Sequence, residues 1–285
     1  MRIIKRKKGR KEYFYLQHSF RKKGKVTTKE KYLGLKIPRD IEKIKQEFSL
    51  EFKIELYKKI REIKENFQNE WKKIPKSAKE RELKEISIAF TYNTNAIEGS
   101  TITLEEVREI IHDKIAPNKP LRDIKETEAH NKVFLQMINQ KDKITNALLL
   151  KWHKEIFSET KKDIAGKYRD YLVRIGPYLA PDWQDVQKLM NDLIKFINSK
   201  KKINPVELAG RFHYKFEKIH PFGDGNGRIG RLIMNHLLWH NNYPMIIIEY
   251  KKRASYYKAL TKKEEDFVNY FIRRYLSVHK GRLKT

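Results

Sequence analysis

Residues 220–231 read HPFGDGNGRIGR. The sixteen residues that run up to and include His220 read PVELAGRFHYKFEKIH, with Val206, Leu208, Ala209, Phe212, Phe216 and Ile219 recurring at helical spacing, so they form one buried helical face. A second apolar stretch follows, from Arg228 through Leu-Ile-Met-Asn-His-Leu-Leu. Between the two, only a chain rich in glycine can turn so tightly. The stretch is therefore helix, glycine loop, helix, and it predicts a mainly α-helical protein.

A glycine loop that opens a helix leaves backbone N–H groups unpaired, and together with the helix dipole these attract an anion. Arg228 and Arg231 stand three apart, hence on one face, and each can fork onto phosphate oxygens. Asp224 offers the hard oxygen that Mg²⁺ prefers when substrate phosphates complete its shell. His220, with an ordinary pKa near 6.5, suits removal of a proton from a hydroxyl. A structural turn needs none of these four side chains. The pattern fits attack of a hydroxyl on a nucleotide phosphate.

The stretch matches H-x-F-x-[DE]-G-N-G-R-x-x-R, and over roughly residues 80–276 the chain resembles the Fic family. The resemblance implies a helical protein adenylyltransferase that moves AMP from ATP to a Ser, Thr or Tyr hydroxyl of a protein, itself included. It implies His220 as the general base and Asp224 as the ligand of Mg²⁺, with Mn²⁺ as the alternative. Gly225, Asn226, Gly227 and Arg228 would hold phosphates, Arg231 would meet the γ-phosphate, and Tyr256 and Tyr257 would lie near the adenosine. A β-hairpin flap at 168–180 would align an unidentified target protein by strand addition.

Thr94-Asn-Ala-Ile-Glu98-Gly99 resembles the family's inhibitory motif. Thr94 and Glu98 lie four apart on a helix of about 80–99, with Gly99 where a left-handed cap belongs. A carboxylate at a helix C-terminus gains nothing from the dipole and needs a cation, which the resemblance supplies as Arg231. Glu98 would thus hold the enzyme inhibited. A glutamate beside the site could instead orient water to remove AMP.

Around this core, residues 1–36 read as a small basic antiparallel sheet: EYFYLQHSF and VTTKEKYLG flank RKKGK, and RIIKR adds a third strand. Residues 38–75 form a long amphipathic helix, with Ile41, Ile44, Phe48, Phe52, Leu56, Ile60, Ile63 and Phe67 as its stripe, and 77–285 form the Fic domain. Ser77, Thr103, Asn204 and Thr261, each followed three residues later by Glu, read as helix starts.

Lys and Arg number 64 against 36 Asp and Glu, a net charge of +28. Such an excess attracts nucleic acid, so a regulator that binds nucleic acid through residues 1–36 is the competing reading, not the favoured one. Cysteine is absent, which excludes disulfides and thiolate chemistry. No apolar run approaches the roughly 20 residues of a membrane span. MRIIKRKKGRK lacks the apolar segment of a signal peptide, so a cytoplasmic protein without membrane partners is expected.

Overall fold

A computed structural model describes residues 1–22, 25–199 and 203–283. The chain divides into two compact units, Met1–Arg61 and Glu62–Thr285, and the division falls inside the long helix.

In the first unit, β1 (Arg2–Lys8), β2 (Lys11–Lys22) and β3 (Lys25–Gly34) form an antiparallel sheet in the order β1-β2-β3. Gly9, with φ of 62°, turns β1 into β2. The turn at 23–24 lies outside the described residues. Alternation along the strands sends Leu16 and Leu33 inward, where they meet Phe48 of α1 (Ile41–Lys73), with Ile3, Phe14, Ile41 and Ile44 around them. The side chain of Phe52 also lies outside the described residues.

The second unit is helical apart from one hairpin. It holds the end of α1, then α2 (Lys76–Ile97), α3 (Leu104–Arg108, continued by a π-helical turn), α4 (Leu121–Asn139) and α5 (Asn146–Phe157). The two-residue strands β4 (Arg174–Ile175) and β5 (Tyr178–Leu179) precede α6 (Trp183–Ser199), α7 (Pro205–Ile219), α8 (Asn226–Trp239), α9 (Arg253–Leu260) and α10 (Glu264–Val278). Every residue of α8 from Asn226 to Leu238 is buried, so this helix is the centre around which α2, α4, α5 and α7 pack. Phe67 and Trp71 at the end of α1 close on Trp239, with centroids 6.2 and 5.6 Å away.

Two of the expected helix starts hold. Thr103 forms a full capping box with Glu106, and the Asn204 side chain accepts from the Val206 N–H. The other two do not. Pro75 fixes an earlier start for α2, leaving Ser77 inside it. Thr261 ends α9, its hydroxyl donating back to the Lys258 carbonyl.

Candidate active site

The site is built at the N-terminus of α8. His220 ends α7 in the left-handed conformation, φ 49°. Arg169 fixes that corner: its Nε donates to the His220 carbonyl at 2.9 Å, and its own N–H donates to the Pro221 carbonyl at 2.9 Å. Its other nitrogens reach the Tyr171 and Pro181 carbonyls, so one buried guanidinium ties the His220 corner to both feet of the hairpin. Gly225, φ 79°, starts α8, and a Cβ there would stand 2.4 Å from the Phe157 ring.

Burial lowers the His220 imidazole to about 4, so it is neutral at physiological pH and free to accept a proton. A hydrogen bond to the Glu217 backbone opposes that lowering without overcoming it. The carboxylates of Glu98 and Asp224 both act on the imidazole electrostatically, which brings the three together.

Asp224 takes the Gly225 N–H on one oxygen and the Lys161 ammonium on the other, at 2.9 Å. Burial pushes its carboxyl up, but Arg228 and Lys161 outweigh this and hold it below the usual range. Lys161 also bridges to Glu126 at 2.6 Å, and Glu126 pairs with the buried Arg228, whose guanidinium lies 4.4 Å from the Phe157 ring centroid. Asp224, Lys161, Glu126 and Arg228 thus form one alternating chain of charge. Among the described residues no three His, Asp or Glu side chains cluster as a metal site. A lone ionised carboxylate still suits Mg²⁺, which takes its remaining ligands from phosphates and water.

The side chain of Asn226 serves the loop itself. Its amide both accepts from the Phe222 N–H and donates to the Phe222 carbonyl, each at 2.8 Å, and so clamps the loop. Tyr256 is 1% exposed, its hydroxyl 2.7 Å from His213 and 3.4 Å from Arg231, so it supports Arg231 from the core side. Tyr257 is 43% exposed and donates to the Ile97 carbonyl.

The second arginine is held as the Thr94–Gly99 segment suggests. The buried Arg231 guanidinium donates from Nε to Thr94 Oγ1 at 2.7 Å, and from one terminal nitrogen to the Thr94 carbonyl at 3.0 Å and to Glu98 Oε1 at 2.7 Å. Glu98 caps α2, and Gly99 follows with φ 92°. The carboxylate of Glu98 lies against the backbone of α8: a Cβ on Gly227 would come within 2.2 Å of Oε1. Beside it, a polar cavity of about 80 Å³, lined by Glu98, Glu126, Lys161, Asp224 and Arg228, is the space left.

Four contributors were not legible in the sequence. Glu126 and Lys161 sit in α4 and after α5, far from the loop in the chain. Arg169 and Glu217 carry no local signature either. The Glu217 carboxyl is pushed up to about 8 by burial, with Glu98 adding to the rise and Arg231 opposing it. His153 holds the loop in place: its ring stacks on Phe222 at 3.9 Å, Nδ1 accepts from the Gly166 N–H, and Nε2 therefore donates to the Asp224 carbonyl.

Comparison with known proteins points the same way. The chain is 34% identical over 200 residues to the protein adenylyltransferase Fic of Nematostella vectensis, an alignment covering 68% of this chain and 47% of that one. The chain spans about half the length of such relatives. A Fic-domain signaling protein from Bacteroides thetaiotaomicron superposes with a TM-score of 0.68 at 26% identity, covering 79% of this chain and 96% of that one. A Fic family protein from Desulfovibrio desulfuricans G20 superposes at 0.67 with 27% identity, covering 80% and 73%. Residues 143–238, which carry α5, the hairpin and the α7–loop–α8 corner, match Fic/DOC, and this chain is a member of the Fic/DOC family.

Proposed function

We propose that this protein is an adenylyltransferase that moves AMP from ATP onto a hydroxyl of a protein, and that Glu98 inhibits it. The observation that carries this reading is a neutral His220 at the mouth of a glycine loop, beside an ionised Asp224 and the free N–H groups of α8. His220 takes the proton of the incoming hydroxyl, whose oxygen forms a bond to the α-phosphorus. The bond from that phosphorus to the β-phosphate bridge breaks, and pyrophosphate leaves. The N–H groups at Asn226 and Gly227, with Arg228, bind the phosphate oxygens. Asp224 would hold Mg²⁺ (or Mn²⁺), which supplies charge neutralisation of the phosphates; Lys161 must release Asp224 for that. The activity for which the relatives are named, protein adenylyl transfer, supports the reading.

The hairpin supports a protein as acceptor. Leu172 and Leu179 are more than half exposed, and the short strands β4 and β5 leave backbone groups for an added strand. The protein itself is a second acceptor. No described helix is long and apolar enough to cross a membrane; a cytoplasmic site of action completes the proposal.

The test is incubation with Mg²⁺ and labelled ATP, followed by mass spectrometry of the labelled residue. Wild type should incorporate AMP, and His220→Ala should lose incorporation while keeping its circular dichroism. Transfer at wild-type rate by His220→Ala would overturn the assignment of the base.

A further inference from the structure

The strand register sorts the first unit's charges onto two faces. One face is the core face of Phe14 and Leu16. On the other, the pairs Lys8–Lys11, Arg6–Tyr13, Ile4–Tyr15 and Arg2–Gln17 across β1 and β2 continue as Tyr15–Tyr32, Gln17–Glu30 and Ser19–Thr28 across β2 and β3. This outer face is open: Tyr32 is 53% exposed, and Arg2, Lys8 and Lys11 are exposed. Among the described side chains it carries four cations and one acid. That acid, Glu30, orients the cations and does not cancel them. It accepts from Arg6 at 2.7 Å and from Gln17 at 2.8 Å, and Gln17 in turn accepts from Arg2 at 2.6 Å. The Arg6 guanidinium is held over the Tyr15 ring, 5.0 Å from its centroid.

We infer that this outer face of the β1-β2-β3 sheet binds the major groove of duplex DNA. The charge is complementary to phosphate, and the neutral side chains in the middle of the face, Gln17, Ser19 and Thr28, are types that hydrogen-bond to base edges. Dimensions agree. Strands about 4.8 Å apart place the outer two of three about 10 Å from each other, against a B-form major groove about 12 Å wide. From Lys11 to Ser19 the face runs roughly 27 Å at about 3.4 Å per residue, most of one helical turn of about 34 Å. A single strand fits less well, because it needs open ring faces on which bases stack. Here Arg6 covers Tyr15, and Tyr13 and Tyr15 are tilted against Tyr32 with centroids 6.2 and 5.3 Å away. An RNA duplex presents a major groove too narrow to admit side chains. The inference does not rest on the nucleotide site.

The experiment is fluorescence anisotropy of the full chain with a labelled DNA duplex of about 20 base pairs, one of its single strands, and an RNA duplex of equal length. Duplex DNA should bind tightest, with log affinity falling against log salt at a slope of about −3.6, four contacts at about −0.9 each. Arg6→Ala with Lys8→Ala should weaken duplex binding about tenfold and lower the slope by about 1.8. Lys5→Ala with Lys7→Ala removes the same charge from the same strand on the opposite face and should do neither. Equal weakening by the two double variants, or a single strand or RNA duplex bound as tightly as duplex DNA, would overturn the inference. So would no measurable DNA binding at low salt.

Discussion

Replacing Glu98 with glycine removes the only carboxylate among the described residues that the Arg231 guanidinium contacts directly. Arg231 keeps three neutral acceptors: Thr94 Oγ1, the Thr94 carbonyl and, more weakly, the Tyr256 hydroxyl. In wild type the γ-phosphate of ATP competes with Glu98 for the same nitrogen, and two anions cannot share it without repulsion. A hydrogen bond to a charged group contributes about 1.5–3 kcal/mol, which is the cost of seating the γ-phosphate while Glu98 remains. At about 1.4 kcal/mol per decade this corresponds to roughly tenfold to a hundredfold in the fraction of productively bound ATP, and self-labelling by Glu98→Gly should rise by that factor. The same arithmetic predicts a loss without ligand: about 2 kcal/mol lowers the melting temperature by about 4–8 °C in a unit of this size. Mg²⁺ and ATP should restore more of that loss in Glu98→Gly than they add to wild type. Labelling of wild type, Glu98→Gly, Arg231→Ala and the double variant should be compared side by side, with Arg231→Ala abolishing the gain. Equal labelling by wild type and Glu98→Gly would refute the competition. A fall would assign Glu98 to AMP removal.

Glu217→Gln should stabilise the protein in a pH-dependent way. The folded carboxyl, raised to about 8, keeps a proton that the unfolded chain surrenders near 4.5, so wild-type stability falls as pH rises through that window. The variant has no such proton, and its melting temperature should exceed that of wild type at pH 8 by more than at pH 5; the same difference at both values would refute the buried, protonated state. Glu126→Ala strands the buried Arg228 and should cost about 3–5 kcal/mol in urea unfolding, whereas a surface pair would cost under about 1.

Where the information is local, the sequence was sufficient. The α7–loop–α8 turn is written in contiguous glycines and helical stripes, and the Thr94–Glu98–Gly99 spacing places its carboxylate at a helix end. The β-prone runs on either side of RKKGK likewise foretold the sheet. What is missing from the sequence is long-range partnership. Glu126 lies 102 residues from Arg228 in the chain, yet it is the buried partner of that arginine. Lys161 reads as one lysine among many, and nothing local says that it neutralises Asp224. Side-chain direction was equally hidden. Asn226 belongs to the loop motif, but only the folded turn shows its amide closing on Phe222. Tyr256 and Tyr257 are neighbours in sequence, and a helical step of about 100° sends one into the core and the other toward solvent.

The left-handed His220 has an evolutionary consequence. A non-glycine residue at φ 49° is disfavoured, and glycine is the residue that ordinarily ends a helix in this way. The backbone at this corner and the chemistry at this corner therefore pull the choice of residue in opposite directions. A lineage that lost the need for transfer would be free to relax toward glycine or asparagine here, becoming sturdier as it became inert. Under the proposed role, a histidine kept at this backbone position would mark selection for proton transfer, which a histidine in relaxed helical geometry would not.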